Sequence, residues 1–375
     1  QSRHLRHSCG GETAQMSCCA ILVNFHTADL IEGAVRSLKA SSRCDEIIVV
    51  DNSDSREEWD RLNSRIGGLA SILSNAGNQG FAKACNLAFQ SSASDYVLLL
   101  NPDARLLGNA LDVMCTVLDN DLQVAAVGPK VFWDDACLYH LPPTTFPSLT
   151  AVIAERLAGR SQRFAIERSL RFRNRAIAEW SAQRPLHIDA ASGGHVLLRR
   201  EALLAAGGLF DPQFFMYWED SDLMQRIKAA GSQIMLHPLA HATHLYEHHP
   251  GKDSLIAQGW VTYAKKHFSS VFHHTLLRFI SMCPAAQVKT FDATLQKFTE
   301  SIRLTVDPDL QEAWLLEISP NPDFYPSIGR FGSGPTVDIA AELLARFSGC
   351  DLHLRIGPAY PTRDRKQLKT YRLAA

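Results

Sequence analysis

Between Ser17 and Lys130 short apolar runs alternate with helical patterns, and this alternation limits the possible folds more than any other feature of the chain. The runs are Ala20–Asn24, Glu46–Val50, Ala70–Leu73, Tyr96–Leu100 and Val124–Val127; between the first two, Leu30, Ile31, Val35 and Leu38 share one helical face. Runs of this length without polar alternation read as strands buried on both faces. A βαβα order builds a mainly parallel sheet flanked by helices. Right-handed crossovers then align the strand ends along one edge. The expected class is α/β.

Two of these strands run straight into acids. Tyr96-Val-Leu-Leu-Leu100 is followed by Asn101-Pro102-Asp103, and Val49-Val50 by Asp51-Asn52-Ser53. The turn-forming Asn-Pro sets Asp103 at the strand's C-terminal edge, where open α/β sheets bind ligands. A carboxylate such as Asp51 can accept from a nucleobase N–H or a ribose hydroxyl; it can equally cap the helix that begins near Ser55. Asn78-Gln-Gly80-Phe-Ala-Lys-Ala-Cys-Asn86 places a glycine turn at a helix start, whose free N–H groups suit phosphate. Asn-x-Gly turns are common alone, but here one stands in order between two edge acids.

The 375 residues suffice for one large domain plus a small one, and 46% hydrophobic with 21% charged residues is an ordinary globular composition. A formal net charge of −1 gives no global attraction to nucleic acid or anionic membrane. Nine scattered cysteines, without a CxxC pair, fit neither a disulfide framework nor a zinc ribbon, and point to reduced thiols in the cytoplasm. No apolar stretch approaches the roughly 20 residues that span a bilayer. Residues 1–16 read as a disordered leader, and 17–279 as the main α/β domain.

Residues 133–185 interrupt the rhythm with a Pro-rich stretch and an arginine-rich segment. Regular structure resumes as one strand over His187–Leu198, whose Gly193-Gly194 pair admits a close neighbour. A helix follows over Glu219–Ala230, ended by Gly231, then a short strand Gln233–Leu236 and a histidine-rich loop. Residues 280–311 read as a linker with some helix, and 312–375 as a small strand-rich module with a helix around Val337–Phe347.

Six ordered motifs carry a resemblance: the Val23-Asn24-Phe25 opening strand, VVDNSD at 49–54, NQGFAKACN at 78–86, LLLNPD at 98–103, SGGHVLLRREALLAAGGLF at 192–210 and YWEDSDLMQRIKAAG at 217–231. Together they resemble family 2 of the nucleotide-sugar glycosyltransferases, inverting enzymes with a GT-A fold, and within it the rhamnosyltransferase-like branch. The resemblance spans about residues 17–270. It implies that Asp51 holds the donor base, with Asn78, Gly80 and Asn101 lining the nucleotide site. Asp103 would stand as the last acid of the family's Asp-x-Asp element and bind Mg²⁺ or Mn²⁺, cations that share oxygen ligands with phosphates. Asn101 replaces the first acid, so the cation rests on fewer carboxylates. His244 matches a histidine that in related enzymes helps hold metal or diphosphate.

Inverting transfer needs one general base to deprotonate the acceptor hydroxyl. By resemblance that base is Asp220, with Glu219 the competitor; Asp222 and Arg226, one turn apart, read as a structural ion pair. Acids in a first helical turn also suit the dipole, but three exceed what capping requires. Tyr217, Trp218 and Gly193 would form the acceptor-side sugar wall. The implied partners are a dTDP- or UDP-sugar donor and a glycan or lipid-linked acceptor of bacterial surface polysaccharide, with L-rhamnose the plausible sugar.

Other readings remain in view. His237, His241, His244, His248 and His249 crowd together, but lack the cysteine or carboxylate spacing of a zinc site. Seven arginines in Arg156–Arg175 form a solvated amphipathic helix or a basic patch for a lipid-pyrophosphate acceptor or the inner membrane face. A non-catalytic carbohydrate-binding scaffold would have no reason to keep Asp51, Asp103 and Asp220. A nucleotidyltransferase would carry a glycine-rich basic loop where Asn24–Asp29 stands, and a dehydrogenase a GxGxxG after a strand.

Overall fold

The computed structural model of the chain describes residues 15–245, 252–268, 270, 293–295, 301–347 and 350–373. Most of the expected leader, much of the expected linker, and His248 and His249 lie outside these residues. In chain order the first elements are β1 Cys18–Asn24, α1 Ala28–Lys39, β2 Glu46–Asp51, α2 Arg56–Ile66, β3 Ser71–Ser74, α3 Phe81–Ser91 and β4 Tyr96–Leu100. There follow β5 Ala104–Leu107, α4 Ala110–Asn120, β6 Val124–Phe132, α5 Leu149–Ala158 and α6 Gln162–Trp180. The segment closes with β7 Leu186–His187, β8 His195–Arg199, α7 Arg200–Ala205, α8 Glu219–Ala229, β9 Gln233–His244 and α9 Lys252–His267.

Their strands form one nine-stranded sheet in the order β3-β2-β1-β4-β8-β6-β9-β5, with β7 added on β9. The β3-β2-β1-β4 half is parallel, as the apolar runs require, and β1, β2 and β4 are buried almost throughout. Beyond β4 the sheet is mixed, because β8 enters antiparallel between β4 and β6, and β5 lies antiparallel on β9. Two cores result. One face packs Ile21, Val50, Leu99, Leu198 and Phe210 against α3 and α8; the other packs Leu22, Val49, Leu98 and Leu100 against α1 and α4.

Two expected elements differ. His187–Leu198 is not one strand: β7 and β8 pair with different partners, and Gly193-Gly194 sit in a turn just before β8. The expected loop after Leu236 is strand, since β9 runs on to His244. Pro238 is accommodated because Pro129 pairs with His237 and Lys130 with His241, leaving Pro238–Ala240 as a bulge.

The C-terminal strands are β10 Ala293–Leu295, β11 Ile302–Thr305, β12 Trp314–Ser319, β13 Ile328–Gly332, β14 Thr336–Ile339, β15 Leu352–Pro358 and β16 Lys369–Leu373, with α10 at Ala341–Ala345. They build a five-stranded sheet, β10-β16-β15-β12-β13, and a β11-β14 pair around a core of their own. The described part of 301–311 is thus strand and a 3-10 turn, not α-helix, and Val337–Ile339 is strand before a shorter helix than expected.

The arginine-rich segment fastens this module to the large sheet. Arg173 on α6, fully buried, donates to Glu317 on β12 at 2.9 Å, and Arg355 on β15 closes on the same carboxylate at 2.6 Å. Arg168 pairs with Asp323. Around them Phe172, Ile177 and Trp180 of α6 pack on Leu315, Tyr325 and Phe331. The seven described cysteines are free thiols, and no described helix is long and apolar enough to cross a membrane.

Candidate active site

The site gathers along the edge where β1, β2 and β4 end. Asn24, the last residue of β1, donates from Nδ2 to Asp51 Oδ1 at 2.9 Å and to Glu58 Oε1 at 3.2 Å. Ser53 adds its N–H and hydroxyl to the same Asp51 oxygen at 3.2 and 2.7 Å. Among the described residues Asp51 Oδ2 takes no hydrogen bond, so one carboxylate oxygen stays available at the sheet edge. The capping alternative fails, because Ser55 caps α2 through the N–H of Glu58.

Sequence reasoning missed Glu58 and Asn52. Buried Glu58 accepts from the Ala28 N–H at 2.8 Å, tying α1 to α2; its signal was the Ser55-x-x-Glu58 capping pattern. Asn52 donates to Asn78 Oδ1 at 2.9 Å and accepts from Asn75 and from the Gln79 N–H. Asn78 Oδ1 also takes the Gly80 N–H at 3.0 Å. The Phe81 N–H, first of α3, goes to the Phe215 carbonyl at 2.7 Å. Two donors that the turn offered to phosphate are therefore spent inside the chain. At Gly80, with φ +86°, a Cβ would lie 2.3 Å from that carbonyl oxygen, so the glycine is needed for the loop to dock. Asn86, further along α3, exchanges two hydrogen bonds with the Phe210 backbone.

Strand register delivers the second cluster. Ala104 pairs with His244, which sets Asp103 beside the imidazole: His244 Nε2 stands 3.1 Å from Asp103 Oδ1. Leu100 pairs with His195, so the Gly193-Gly194 turn lies against Asn101, whose N–H donates to the Gly194 carbonyl at 2.9 Å. A Cβ on Gly194 would come within 2.8 Å of Asn101 Nδ2 and 3.3 Å of His244 Cε1. His195, also missed, is buried with Nδ1 unpartnered, its ring 5.6 Å from that of His244. Burial first, and His244 second, push it down to about 3. Its only signal was its place after the glycine pair. Burial lowers Lys252, the first residue of α9, from the usual lysine range, against the opposing charges of Asp253 and then Asp103.

The same glycine turn reaches the acids of α8. The Gly193 N–H donates to Asp220 Oδ2 at 3.2 Å, and the Ser221 N–H to Asp220 Oδ1 at 2.7 Å. Burial raises Asp220 above its usual range despite these donors. Glu219 is buried with Oε2 unpartnered, and burial, then Asp220, raises it to about 8. Asp222 makes the expected pair with Arg226 at 2.8 Å and also meets Lys266 and His267.

Trp218, expected in the sugar wall, also contacts α9. Trp218 donates Nε1–H to the Ile256 carbonyl at 2.9 Å, and its ring packs on Trp260 and Tyr263. The indole thus packs on the α8–α9 core while staying half-buried. Tyr217 and Trp218 are both half-buried and Phe215 is exposed, so three aromatics of that run keep some surface.

Asp103 and His244 fit a divalent cation in donor chemistry, as one hard oxygen and one imidazole. Among the described residues no group of three or more acids, histidines or cysteines is placed to hold a metal, so most of the coordination would have to come from phosphate oxygens and water.

Residues 19–203 match the family model Glycosyl transferase family 2. Rhamnosyltransferase WbbL of Escherichia coli (strain K12) is 27% identical over 240 residues, covering 62% of this chain and 84% of that protein. The N-acetylglucosaminyl-diphospho-decaprenol L-rhamnosyltransferase of Mycobacterium tuberculosis is 28% identical over 163 residues, covering 42% of this chain and 50% of that protein. A crystal structure of GalNAc-T7 with UDP, GalNAc and Mn²⁺ aligns at TM-score 0.47 and 13% identity, over 73% of this chain and 56% of that one.

Proposed function

We propose, for a chain that belongs to glycosyltransferase family 2, that residues 17–279 form a catalytic unit moving a sugar from a nucleotide donor to an acceptor hydroxyl with inversion. One observation carries this reading: the Gly193-Gly194 turn meets Asp220 on one side and Asn101 with His244 on the other. The turn thus sets a base candidate and an anion-and-cation site side by side.

The donor would lie along the sheet edge. One strand, β1, separates β2 from β4, about 10 Å or two strand spacings, with Asp51 at the end of β2 and Asp103 in the turn just past β4. Asp51 Oδ2 would accept from the nucleoside at one end, with Asn52 and Asn78 lining it. Asp103 and His244 would hold a divalent cation at the other, where such an ion supplies charge neutralisation for the leaving diphosphate. Lys252 adds positive charge on the same side.

Asp220 would act at the sugar. Its two N–H donors fix the carboxylate, and no cation lies against it among the described residues to lower its basicity. The acceptor oxygen gives its proton to Asp220 and attacks the anomeric carbon; a C–O bond to the acceptor forms while the bond to diphosphate breaks, its electron pair leaving with the phosphate. Removing a positioned base costs typically about 10²- to 10⁴-fold. Asp220→Asn should therefore lose transfer on that scale while melting with the wild type. Full transfer by this variant would instead favour Glu219 as base, and absence of transfer by the wild type would favour a scaffold.

The relatives' names suggest L-rhamnose, and one names a diphospho-decaprenol-linked acceptor. A thermal-shift screen of nucleotide sugars with and without Mn²⁺ tests this. Stabilisation by dTDP-rhamnose alone supports the donor, and preference for a UDP-sugar overturns it. We place the reaction in the cytoplasm, peripheral at the inner membrane face. Arg173 is buried, and Arg168 and Arg175 are half-buried in ion pairs, so lipid contact would fall to the exposed Arg156, Arg163 and Arg171. Binding to anionic vesicles that weakens with salt and with Gln at those three positions supports it; absent or salt-insensitive binding sinks it.

A further inference from the structure

Tyr217 and Trp218, immediately before the acid pair, are both left-handed, at φ 67° and 71°. That conformation is unfavourable for an L residue, and bulky residues keep it only where their surroundings impose it. Here the chain is gripped from two sides. Gly80 admits the Phe215 carbonyl onto the start of α3, as described above. On the other side stands Gly259, buried in the middle of α9.

A helix-interior glycine is less stable than alanine, and Gly259 has no positive φ to account for it. What it has is contact. A Cβ at this position would lie 2.6 Å from the Tyr217 carbonyl oxygen, 2.7 Å from Trp218 Cδ1 and 3.1 Å from the Met216 carbonyl oxygen. The left-handed pair presses its backbone against the bare helix. Two further contacts share the load: the Trp218 indole bonds Ile256 and packs on Trp260 and Tyr263, and Lys266 and His267 each stand 2.8 Å from Asp222. Helix α9 thus holds α8 just before and just after Asp220.

The geometry points to Gly259 as a positioning residue for Asp220, acting through the Tyr217–Trp218 backbone to keep the carboxylate on the Gly193 N–H. This rests on the assignment of Asp220 as base. Were Gly259 only a packing residue, its substitution would lower stability and leave turnover of the folded enzyme unchanged.

Two variants test it, with dTDP release from dTDP-rhamnose in Mn²⁺ as the activity readout and a crystal structure of each as a second. Gly259→Ala should lower kcat by about tenfold or more, since a misplacement of about 1 Å can cost some 10²-fold. Donor KM should stay within about twofold, because the interaction lost belongs to the transition state. Asp220 Oδ2 should leave hydrogen-bond distance of the Gly193 N–H. Tyr217→Gly removes one strained residue, so its melting temperature should hold or rise while kcat still falls. Wild-type kcat in both variants, with Asp220 in place, overturns the proposal. If Gly259→Ala does not fold, Tyr217→Gly decides through the Asp220 Oδ2 to Gly193 N–H distance in its crystal structure, because loss of a sugar-wall residue lowers kcat by itself. Full activity in Asp220→Asn would instead remove the base assignment. No dTDP release by the wild type would remove the donor assignment; in either case the crystallographic displacement, which needs no donor, still decides the positioning role.

Discussion

Glu219 at the candidate active site and Glu317 at the junction with the C-terminal module are both buried glutamates, yet they are pushed in opposite directions. Burial would raise each. At Glu317, Arg355 and then Arg173 outweigh it and hold the carboxyl below the usual range, and Ser327 fills out its bonding. At Glu219 the nearest charge is another acid, Asp220, and Oε2 has no partner. An acid with two guanidinium groups is a clasp. An acid left unneutralised beside a second acid is what chemistry needs, because environments that drive two neighbouring carboxyls apart divide proton-bearing from proton-accepting roles.

The sharpest break in this comparison is to remove a partner from the clasp. Arg173→Ala leaves Glu317 buried with Arg355 alone and opens a void against β12. Breaking a buried ion pair in this way costs about 3–5 kcal/mol. Urea unfolding should show that loss, while transfer measured well below the new transition stays near wild type. A loss under about 1 kcal/mol would assign the junction's strength to Phe172, Ile177 and Trp180 instead, since exposed pairs are worth no more than that.

The next test uses pH. Glu219 is raised to about 8 in the folded chain, against an ordinary carboxyl near 4.5 when unfolded. Between those values the folded state holds a proton that the unfolded state has released, so stability falls as pH climbs from about 5 towards 8. Glu317 has the reverse sign: its contribution is present above its unfolded value and is lost as pH falls through the lowered one. Glu219→Gln, which copies the protonated acid, should flatten the decline of melting temperature between pH 5 and 8 and keep transfer within a few-fold. Asp220→Asn should do the opposite to transfer. An unchanged decline in Glu219→Gln would mean that the carboxyl is ionised in the folded protein.

The contrast also explains what the sequence could and could not disclose. Asp51 and Asp103 were legible because each ends an apolar run, and a strand end in an α/β sheet is a definite place. Glu219 and Asp220 were legible as a surplus of acids over the needs of a helix start. The clasp was not, because Arg173 and Glu317 lie 144 residues apart and no local pattern marks so distant a pairing; the arginine run looked like a solvated or lipid-facing surface instead. The path of β9 was hidden by Pro238, which ends an ordinary strand but is absorbed here by a bulge. The contact of Trp218 with α9 was not legible either, since a left-handed backbone has no signature in a non-glycine residue. His195 and Asn52 act through neighbours in space, and only register exposes them.

Asp103 lies between the two extremes, with one imidazole close by and an amide where a second acid would stand. Asn101→Asp moves it towards a two-carboxylate site. Without a cation the new charge faces Asp103 across the turn and should cost stability. With Mn²⁺ present, two hard oxygen ligands replace one, so the stabilisation produced by Mn²⁺ should grow. About a tenfold gain in apparent affinity, equal to about 1.4 kcal/mol, is the expected size. A titration of melting temperature against Mn²⁺, before and after EDTA, reads it without reference to turnover. Asp103→Ala should erase the Mn²⁺ response altogether, while Asn101→Ala should only reduce it. Equal loss in both would make the amide a ligand of the same rank as the acid, and no response in the wild type would remove the cation from this edge of the sheet.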